Sequence, residues 1–162
     1  MASVKRVFAA VQTITITLTS LADSSSAGRE CTVIDNSANL YLDAFVAGKI
    51  KTQNSGSISS PSCVYVWAYG TVDGGTTYPD TVTGSDAAIT MNGPPNNLRL
   101  LGVINVAAIN TTYSGGPWSM ANVFGALPEK WGIVIQNDCG TAFSSTAGDH
   151  VWKYEGVYQS VT

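Results

Sequence analysis

The amino-acid sequence predicts an all-β fold, a jelly-roll-like antiparallel β-sandwich of about eight strands. Short runs of β-branched and aromatic residues recur along the chain, and segments rich in Gly, Ser, Asn and Pro separate them. Neither helical periodicity nor a regular alternation of strands with helices is present in the sequence. Two antiparallel sheets packed face to face bury such runs. At 162 residues the chain fits one domain, placed at residues 12–162 after an extended N-terminal arm at residues 1–11.

The predicted strands follow one another at turn-rich intervals. Residues 12–19 alternate Thr with Ile or Leu, which puts aliphatic side chains on one face and hydroxyl groups on the other. Residues 63–69 are apolar or aromatic on both faces, which is typical of a central strand covered on both sides. The other predicted strands are residues 31–34, 40–50, 98–109, 131–135 and 151–161.

Clusters of Gly, Pro, Asn and Asp predict the breaks between strands. Turns or loops are expected at residues 35–37, 52–62, 70–84, 92–97 and 114–117. Residues 118–124 are expected to form a single helical turn, because Gly125 follows them and glycine commonly ends a helix. No repeat or linker divides the chain into two domains.

Composition excludes several classes of function. Charged residues make up 12% of the chain, about half the usual share, and the net charge is −3. A nucleic-acid-binding surface needs clustered Lys and Arg, which eight scattered cations do not provide. No apolar run approaches the roughly 20 residues that span a bilayer. We therefore expect partners other than nucleic acid and membranes.

The three cysteines, Cys31, Cys63 and Cys139, are more than thirty residues apart, which fits neither a zinc motif nor a CxxC pair. We expect buried free thiols in a protein made in a reducing cytoplasm. The apolar run at residues 7–11 is too short for the core of a signal peptide.

No pattern in the sequence predicts catalysis, a metal site or a cofactor. His150, beside Asp149, is the only histidine, and no nucleophile elbow accompanies it, so we interpret it as a loop residue before the last strand. A pair of carboxylates could still serve a glycoside hydrolase. The candidates for such a pair are Asp35, Asp43, Asp73, Asp80, Asp86, Glu129 and Glu155.

Aromatic residues near turns are the better candidates for binding. Trp67 and Trp131 lie within hydrophobic strands and are expected in the core, whereas Tyr78 and Trp118 adjoin Pro79 and Pro117 and are expected to be exposed. Exposed aromatic rings anchor protein interfaces and also stack on sugars. We favour the interface and keep the sugar as an alternative.

Several blocks of the sequence, taken in order, resemble small virion proteins encoded among the structural genes of tailed bacteriophages. The resemblance runs from about residue 13 to residue 158, and the blocks that carry it are residues 21–30, 33–37, 41–44, 64–70 and 124–137. It implies a structural subunit without catalytic residues, such as a jelly-roll decoration (cement) protein on the capsid. Some proteins of this appearance are tail-associated or receptor-binding, and these blocks do not separate the two.

The resemblance implies a homo-oligomer located in the virion, which contacts itself and the major capsid protein or another virion protein. The expected interface residues are Lys5, Arg6 and Phe8 in the arm and Tyr78 and Trp118 in loops. The alternative is a tail fibre or spike module in which Trp118, Tyr78 and Tyr113 stack on host-surface glycans.

Overall fold

The structure is a computed structural model that describes residues 3–92 and 97–161. Most of the predicted break at residues 92–97 lies outside the described residues. Eleven strands, one short helix and one 3-10 turn are found in the described part of the chain. In chain order they are β1 (Val4–Phe8), β2 (Gln12–Thr13), β3 (Ala27–Glu30), β4 (Ile34–Asp35), β5 (Asp43–Lys51), β6 (Cys63–Thr71), β7 (Ala87–Thr90), β8 (Arg99–Asn105), β9 (Thr112–Ser119), α1 (Ala121–Phe124), β10 (Lys130–Asp138), the 3-10 turn (Ala147–Asp149) and β11 (Val151–Val161).

The strands form two antiparallel sheets with a nested order of pairing. The five-stranded sheet runs β1-β11-β5-β9, with β2 also on β11, and the six-stranded sheet runs β7-β3-β10-β6-β8, with β4 also on β10. The first long strand pairs with the last (β1 with β11), and the pairs β3–β10, β5–β9 and β6–β8 follow inward. A long hairpin rolled into two sheets has this pairing, so the predicted jelly-roll sandwich is confirmed.

The main core lies between the two sheets. Val46 and Ile50 on β5 face Val64 and Val66 on β6, and all four are fully buried. Trp131 on β10 and Trp152 near the start of β11 are the largest fully buried side chains, and Trp152 stacks on Trp118 with ring centroids 6.3 Å apart. A Cβ on Gly48 would lie 2.3 Å from the Trp152 ring, so only glycine fits opposite it on β5. Such large buried rings are each worth about 3–5 kcal/mol of stability.

A second, smaller core covers the outward side of the six-stranded sheet. Tyr69 on β6 is fully buried there, and its hydroxyl donates a hydrogen bond to the carbonyl of Cys31 at 2.9 Å. The loop at residues 72–86 folds over this side, where Tyr78 meets Tyr69 edge to face, with centroids 5.8 Å apart, and Val82 is buried. The chain therefore closes this side of the sandwich with its own loop.

Three of the predicted strands are confirmed almost residue for residue. Residues 63–69 lie in β6, residues 131–135 lie in β10, and residues 151–161 are β11. Of the helical turn predicted at residues 118–124, residues 121–124 are confirmed as α1, which ends at Gly125, whereas residues 118–119 belong to β9. All three cysteines are buried and free, as predicted.

The alternating segment at residues 12–19 is only in part a strand. Ile14 and Leu18 point inward, as the pattern predicts, but the ladder stops after Thr13. The backbone N–H of Ile14 bonds the carbonyl of Trp152, and the carbonyl of Thr15 accepts a bond from Thr32. The segment crosses from one sheet toward the other. Its alternating side chains are therefore buried on one side, although the segment does not pair along its length with a neighbouring strand.

The turn predicted at residues 114–117 is wrong, because these residues lie inside β9. The strand is at the edge of its sheet, where a proline without an N–H group is tolerated. The register of β9 against β5 shifts between Val46 and Gly48, beside the Gly116-Pro117 bond. The Gly and Pro residues at positions 115–117, which usually indicate a turn, therefore lie here in an irregular edge strand.

An extended arm is predicted at residues 1–11. The described part of this segment, from residue 3 onward, lies against the domain. Residues 4–8 form β1 and pair in register with the end of β11, from Val4 opposite Val161 to Phe8 opposite Val157. Ala9 continues the contact by donating to the carbonyl of Gly156 at 2.8 Å.

Candidate interaction surface

His150 is placed in a structural role. Its Nε2–H donates to the backbone carbonyl of Ser144 at 2.9 Å, and its ring stacks on Phe143 at 5.5 Å. The hydroxyl of Ser144 instead donates to Asp149 at 2.7 Å. A catalytic triad needs the serine hydroxyl on the imidazole, and here the hydroxyl bonds the carboxylate directly. The interpretation of His150 as a loop residue fits this geometry.

Three of the carboxylates weighed for catalysis, Asp43, Asp73 and Asp86, hold local structure. Asp43 accepts the backbone N–H of Ala121 at 2.8 Å and the hydroxyl of Ser119 at 2.7 Å, which ties β5 to α1. Asp86 pairs with Arg29 at 2.6 Å. The hydroxyl of Thr71 and backbone N–H groups in the following loop bond the carboxylate of Asp73, and they hold its pKa well below the usual range.

Sequence reasoning missed one buried carboxylate. Glu30 is fully buried on β3 and accepts the backbone N–H of Thr83, the hydroxyl of Thr83 and the N–H of Gly84, at 2.8 to 3.1 Å. These bonds fasten the loop at residues 72–86 to the sheet. Nothing in the local sequence distinguishes Glu30 from an exposed strand residue, because its donors come from more than fifty residues away.

Tyr78 and Trp118 are not the exposed loop aromatics that the sequence predicts. Tyr78 lies across Gly75 and Gly84, where an added Cβ would come within 2.8 Å of its hydroxyl. Trp118 is on β9 and packs against Gly102 as well as Trp152. Both are half-buried and pack against the cores, because the nested pairing brings distant strands over them.

The three predicted residues of the N-terminal segment lie together on β1. Arg6 and Phe8 are on the outward side of the five-stranded sheet, opposite Gln159 and Val157 of β11, and Lys5 alternates to the other side. Phe8 is 52% exposed, although its ring meets Phe45 at 6.2 Å.

Exposed apolar side chains continue from Phe8 in both directions. Val4 and Val161 are 60% and 68% exposed at one end of β1, and Leu42 is exposed at the other. A groove of about 230 Å³ lies beside them, lined by Arg6, Leu42, Phe45 and Val157. We call this set the β1 surface; it comprises Val4, Arg6, Phe8, Leu42, Phe45, Val157 and Val161.

The backbone edge of β1 is also open. Among the described residues, β1 pairs only with β11, so alternate N–H and C=O groups of β1 point away from the sheet. An edge of this kind is a template for another strand. Exposed apolar side chains beside an open edge make the β1 surface a candidate for binding a protein.

A second exposed strip lies on the outward side of the six-stranded sheet, beyond the reach of the covering loop. Tyr65 and Trp67 are half-buried neighbours on β6, with ring centroids 5.7 Å apart. The indole N–H of Trp67 donates to Gln136 at 2.9 Å, and Leu100 and Val103 on β8 are exposed beside the two rings. We call Tyr65, Trp67, Leu100 and Val103 the aromatic strip.

The aromatic strip corrects the prediction that Trp67 belongs to the core. The side chains of β6 alternate, so Val64 and Val66 fill the main core while Tyr65 and Trp67 face outward. A bond with the Cys63 thiol, followed by burial, raises the pKa of Tyr65 to about 12. Tyr65 is therefore a neutral hydrogen-bonding group at physiological pH.

No protein-family model, curated protein or solved structure matches this chain. The described residues contain no helix long and apolar enough to cross a membrane. Across residues 3–92 and 97–161 no three His, Cys, Asp or Glu side chains are grouped as metal ligands would be. Fold and surface together define a jelly-roll sandwich of the all-β class.

Proposed function

We propose that this protein is a non-enzymatic structural protein of a tailed-bacteriophage virion, a decoration (cement) subunit that stabilises the head through protein–protein contacts. The observation that carries the proposal is the β1 surface, where four exposed apolar side chains lie along an open strand edge. Larger exposed apolar patches on soluble proteins commonly mark interaction sites. The resemblance of the sequence blocks to phage virion proteins supplies the biological setting.

The low charge of the surface supports assembly in many copies. With 12% charged residues, neighbouring copies repel one another only weakly when they pack side by side. Jelly rolls recur among viral capsid and lectin domains, although a fold alone does not set a function. The structural roles of Asp43, Asp73, Asp86 and His150 support a role without catalysis.

The β1 surface favours a partner other than a second β1 strand. Antiparallel pairing of two β1 strands would bring Lys5 and Arg6 of both copies together, and like charges on paired strands are destabilising. A strand of the major capsid protein or of another virion protein does not meet this repulsion. Docking there would cover Phe8 and Val4 and would pair the open edge.

Quantitative mass spectrometry of purified particles tests the proposal. We expect the protein in the particle at a copy number comparable with that of the major capsid protein. A few copies per particle would indicate a location in the tail. Absence of the protein from particles would reject both the head and the tail location.

Adding purified protein back to particles that lack it tests the β1 surface. We expect Phe8→Asp combined with Val4→Asp to abolish binding to the particle. Val72→Asp is the matched control, since Val72 is 96% exposed on the opposite side of the sandwich. Equal binding of both variants would remove the β1 surface from the proposal.

The aromatic strip supports a second candidate, a tail-associated module that binds host-surface glycan. Adjacent, half-buried Tyr and Trp rings on β6 provide the stacking faces that sugar recognition uses. Tyr78, Trp118 and Tyr113 are less suited to the role, because the first two pack inward and Tyr113 bonds the backbone of Ala107 and Ala108.

A glycan array with the intact protein tests this candidate. We expect binding that Trp67→Ala abolishes and that Leu100→Ala, a control in the same strip without a ring, reduces only slightly. An array without any bound glycan, or binding unchanged by Trp67→Ala, would remove it.

A further inference from the structure

The pairing of β1 with β11 fixes which backbone groups of β1 stay free. Ala9 and Gly156 form a hydrogen-bonded pair, because the N–H of Ala9 donates to the carbonyl of Gly156 at 2.8 Å. Hydrogen-bonded and non-hydrogen-bonded pairs alternate along an antiparallel ladder, so Val7 and Lys5 bond β11 in the same way. The residues whose N–H and C=O groups point to the open edge are therefore Val4, Arg6 and Phe8.

The same three residues carry their side chains on the outward side of the sheet. Val4 and Phe8 are 60% and 52% exposed, and the exposed Arg6 lies between them. Residues opposite each other on paired strands share a face and contact through their side chains. A strand that bonds this edge therefore meets an apolar side chain, a cation and a second apolar side chain on its outward side.

Both cations of β1 lack a partner in the part of the chain that the structure describes. Neither Lys5 nor Arg6 forms an ion pair there, and β1 itself carries no carboxylate. The residues opposite them on β11, Ser160 and Gln159, are neutral. Two adjacent cations on an open edge favour a partner strand that places carboxylates opposite them.

The two carboxylates on the strands of the five-stranded sheet do not neutralise this edge. Asp43 is on β5, two strands from β1, and lines the groove beside Arg6. Its carboxylate accepts bonds from the Ser119 hydroxyl and the Ala121 N–H. Glu155 lies on β11 four positions before the residue opposite Arg6, about 13 Å along the strand.

We propose that the strand that binds β1 is acidic at its centre, with carboxylates opposite Lys5 and Arg6 and apolar side chains opposite Val4 and Phe8. The inference rests on the proposed function of the β1 surface and specifies the chemistry of its partner. The partner strand runs antiparallel to β1 and bonds the free N–H and C=O groups of its edge. A second copy of β1 has cations at these positions, so the same chemistry selects against self-pairing.

Two capped ten-residue peptides test this chemistry without a particle. The first has the central residues Val, Thr, Glu, Glu and Val, and the second has Lys at both Glu positions. With the full-length protein at saturating peptide, we expect the Glu peptide to slow amide hydrogen exchange at Val4, Arg6 and Phe8 by about tenfold or more, as measured by NMR. The Lys peptide should leave these rates unchanged.

A charge-reversed variant tests whether the two cations make the selection. Lys5→Glu with Arg6→Glu should exchange the preference, so that the Lys peptide protects the edge and the Glu peptide does not. Lys49→Glu with Lys153→Glu is the matched control, since it makes the same change in net charge on β5 and β11 of the same sheet. The control should keep the wild-type preference.

Two substitutions at one position separate the backbone edge from the side chain. Arg6→Pro removes the guanidinium together with an N–H that points away from β11, where a proline is tolerated, and Arg6→Ala removes the guanidinium alone. We expect Arg6→Ala to weaken binding of the Glu peptide by about tenfold and Arg6→Pro to abolish it. Equal binding by the two variants would contradict pairing along the edge.

The inference and the virion role fail through different results. Absence of protection with the Glu peptide, or equal protection with both peptides, would overturn the inference and leave the virion role to particle mass spectrometry. Absence of the protein from particles would remove the virion role, whereas selection of the Glu peptide by β1 would still identify the chemistry of its partner.

Discussion

The outward sides of the two sheets differ in how far other parts of the chain cover them. The six-stranded sheet is covered by the loop at residues 72–86, which Glu30 fastens and Tyr78 packs, so that Tyr69 is fully buried. The five-stranded sheet has no such cover among the described residues, and Phe8 stays half exposed on it. The part of the six-stranded sheet under this loop is closed for stability, whereas the five-stranded sheet and the aromatic strip beyond the loop are open for contact. Substitutions on the covered side should therefore change folding, and those on the open side should change binding.

The largest effect is expected from Glu30→Ala. Removal of the carboxylate leaves the buried N–H group of Gly84 and the partly buried N–H group of Thr83 without an acceptor, so we expect the free energy of unfolding to fall by about 3 kcal/mol. Urea denaturation measures this loss. Asp35→Asn, at a half-exposed side chain in an ion pair, is the control and should change little. A loss no greater than that of the control would show that Glu30 does not fasten the loop.

The next effect is expected from Tyr69→Phe. The change leaves the ring in place and removes the hydroxyl that donates to Cys31, so we expect a loss of about 1–1.5 kcal/mol in the free energy of unfolding. Tyr158→Phe, on a half-exposed ring of β11, is the matched control. If both substitutions cost the same, the buried hydrogen bond contributes nothing of its own.

A smaller, pH-dependent effect is expected at Asp73. The Thr71 hydroxyl and the loop N–H groups lower its pKa in the folded protein, so its contribution is complete above the ordinary pKa of about 4 and is lost as the pH falls further. Thermal unfolding between neutral and strongly acidic pH should therefore show a steeper acid decline for the wild type than for Asp73→Asn. Parallel curves would contradict this assignment.

The smallest effect on stability is expected on the open side. Phe8→Ala removes a half-exposed ring, and we expect a change in the free energy of unfolding of less than about 1 kcal/mol, although the same change should weaken binding to the particle. A loss as large as that of Glu30→Ala would mean that the β1 surface is part of the core. The comparison between the two sides would then fail.

Tyr78 and Trp118 are predicted to be exposed anchors, but both are half-buried, because neighbouring residues in the sequence do not determine the burial of a side chain. Both residues adjoin prolines, and a proline usually marks a turn. Trp118 lies instead on an edge strand against Trp152, thirty-four positions later in the chain. Lys5, Arg6 and Phe8, in contrast, are exposed, because on this edge strand side chains on both sides remain in water.

From the order of its residues alone, this chain is recognisable as an all-β protein with buried thiols and strands at residues 63–69, 131–135 and 151–161. These features are local, since side-chain alternation and turn residues act over a few positions. Only the tertiary structure decides that β1 pairs with β11, that Glu30 meets Thr83, and that Trp67 faces outward. Which side of a strand is buried depends on the sheet in which the strand pairs. The pairing partners lie up to 157 positions apart in the chain, so the local sequence does not identify them.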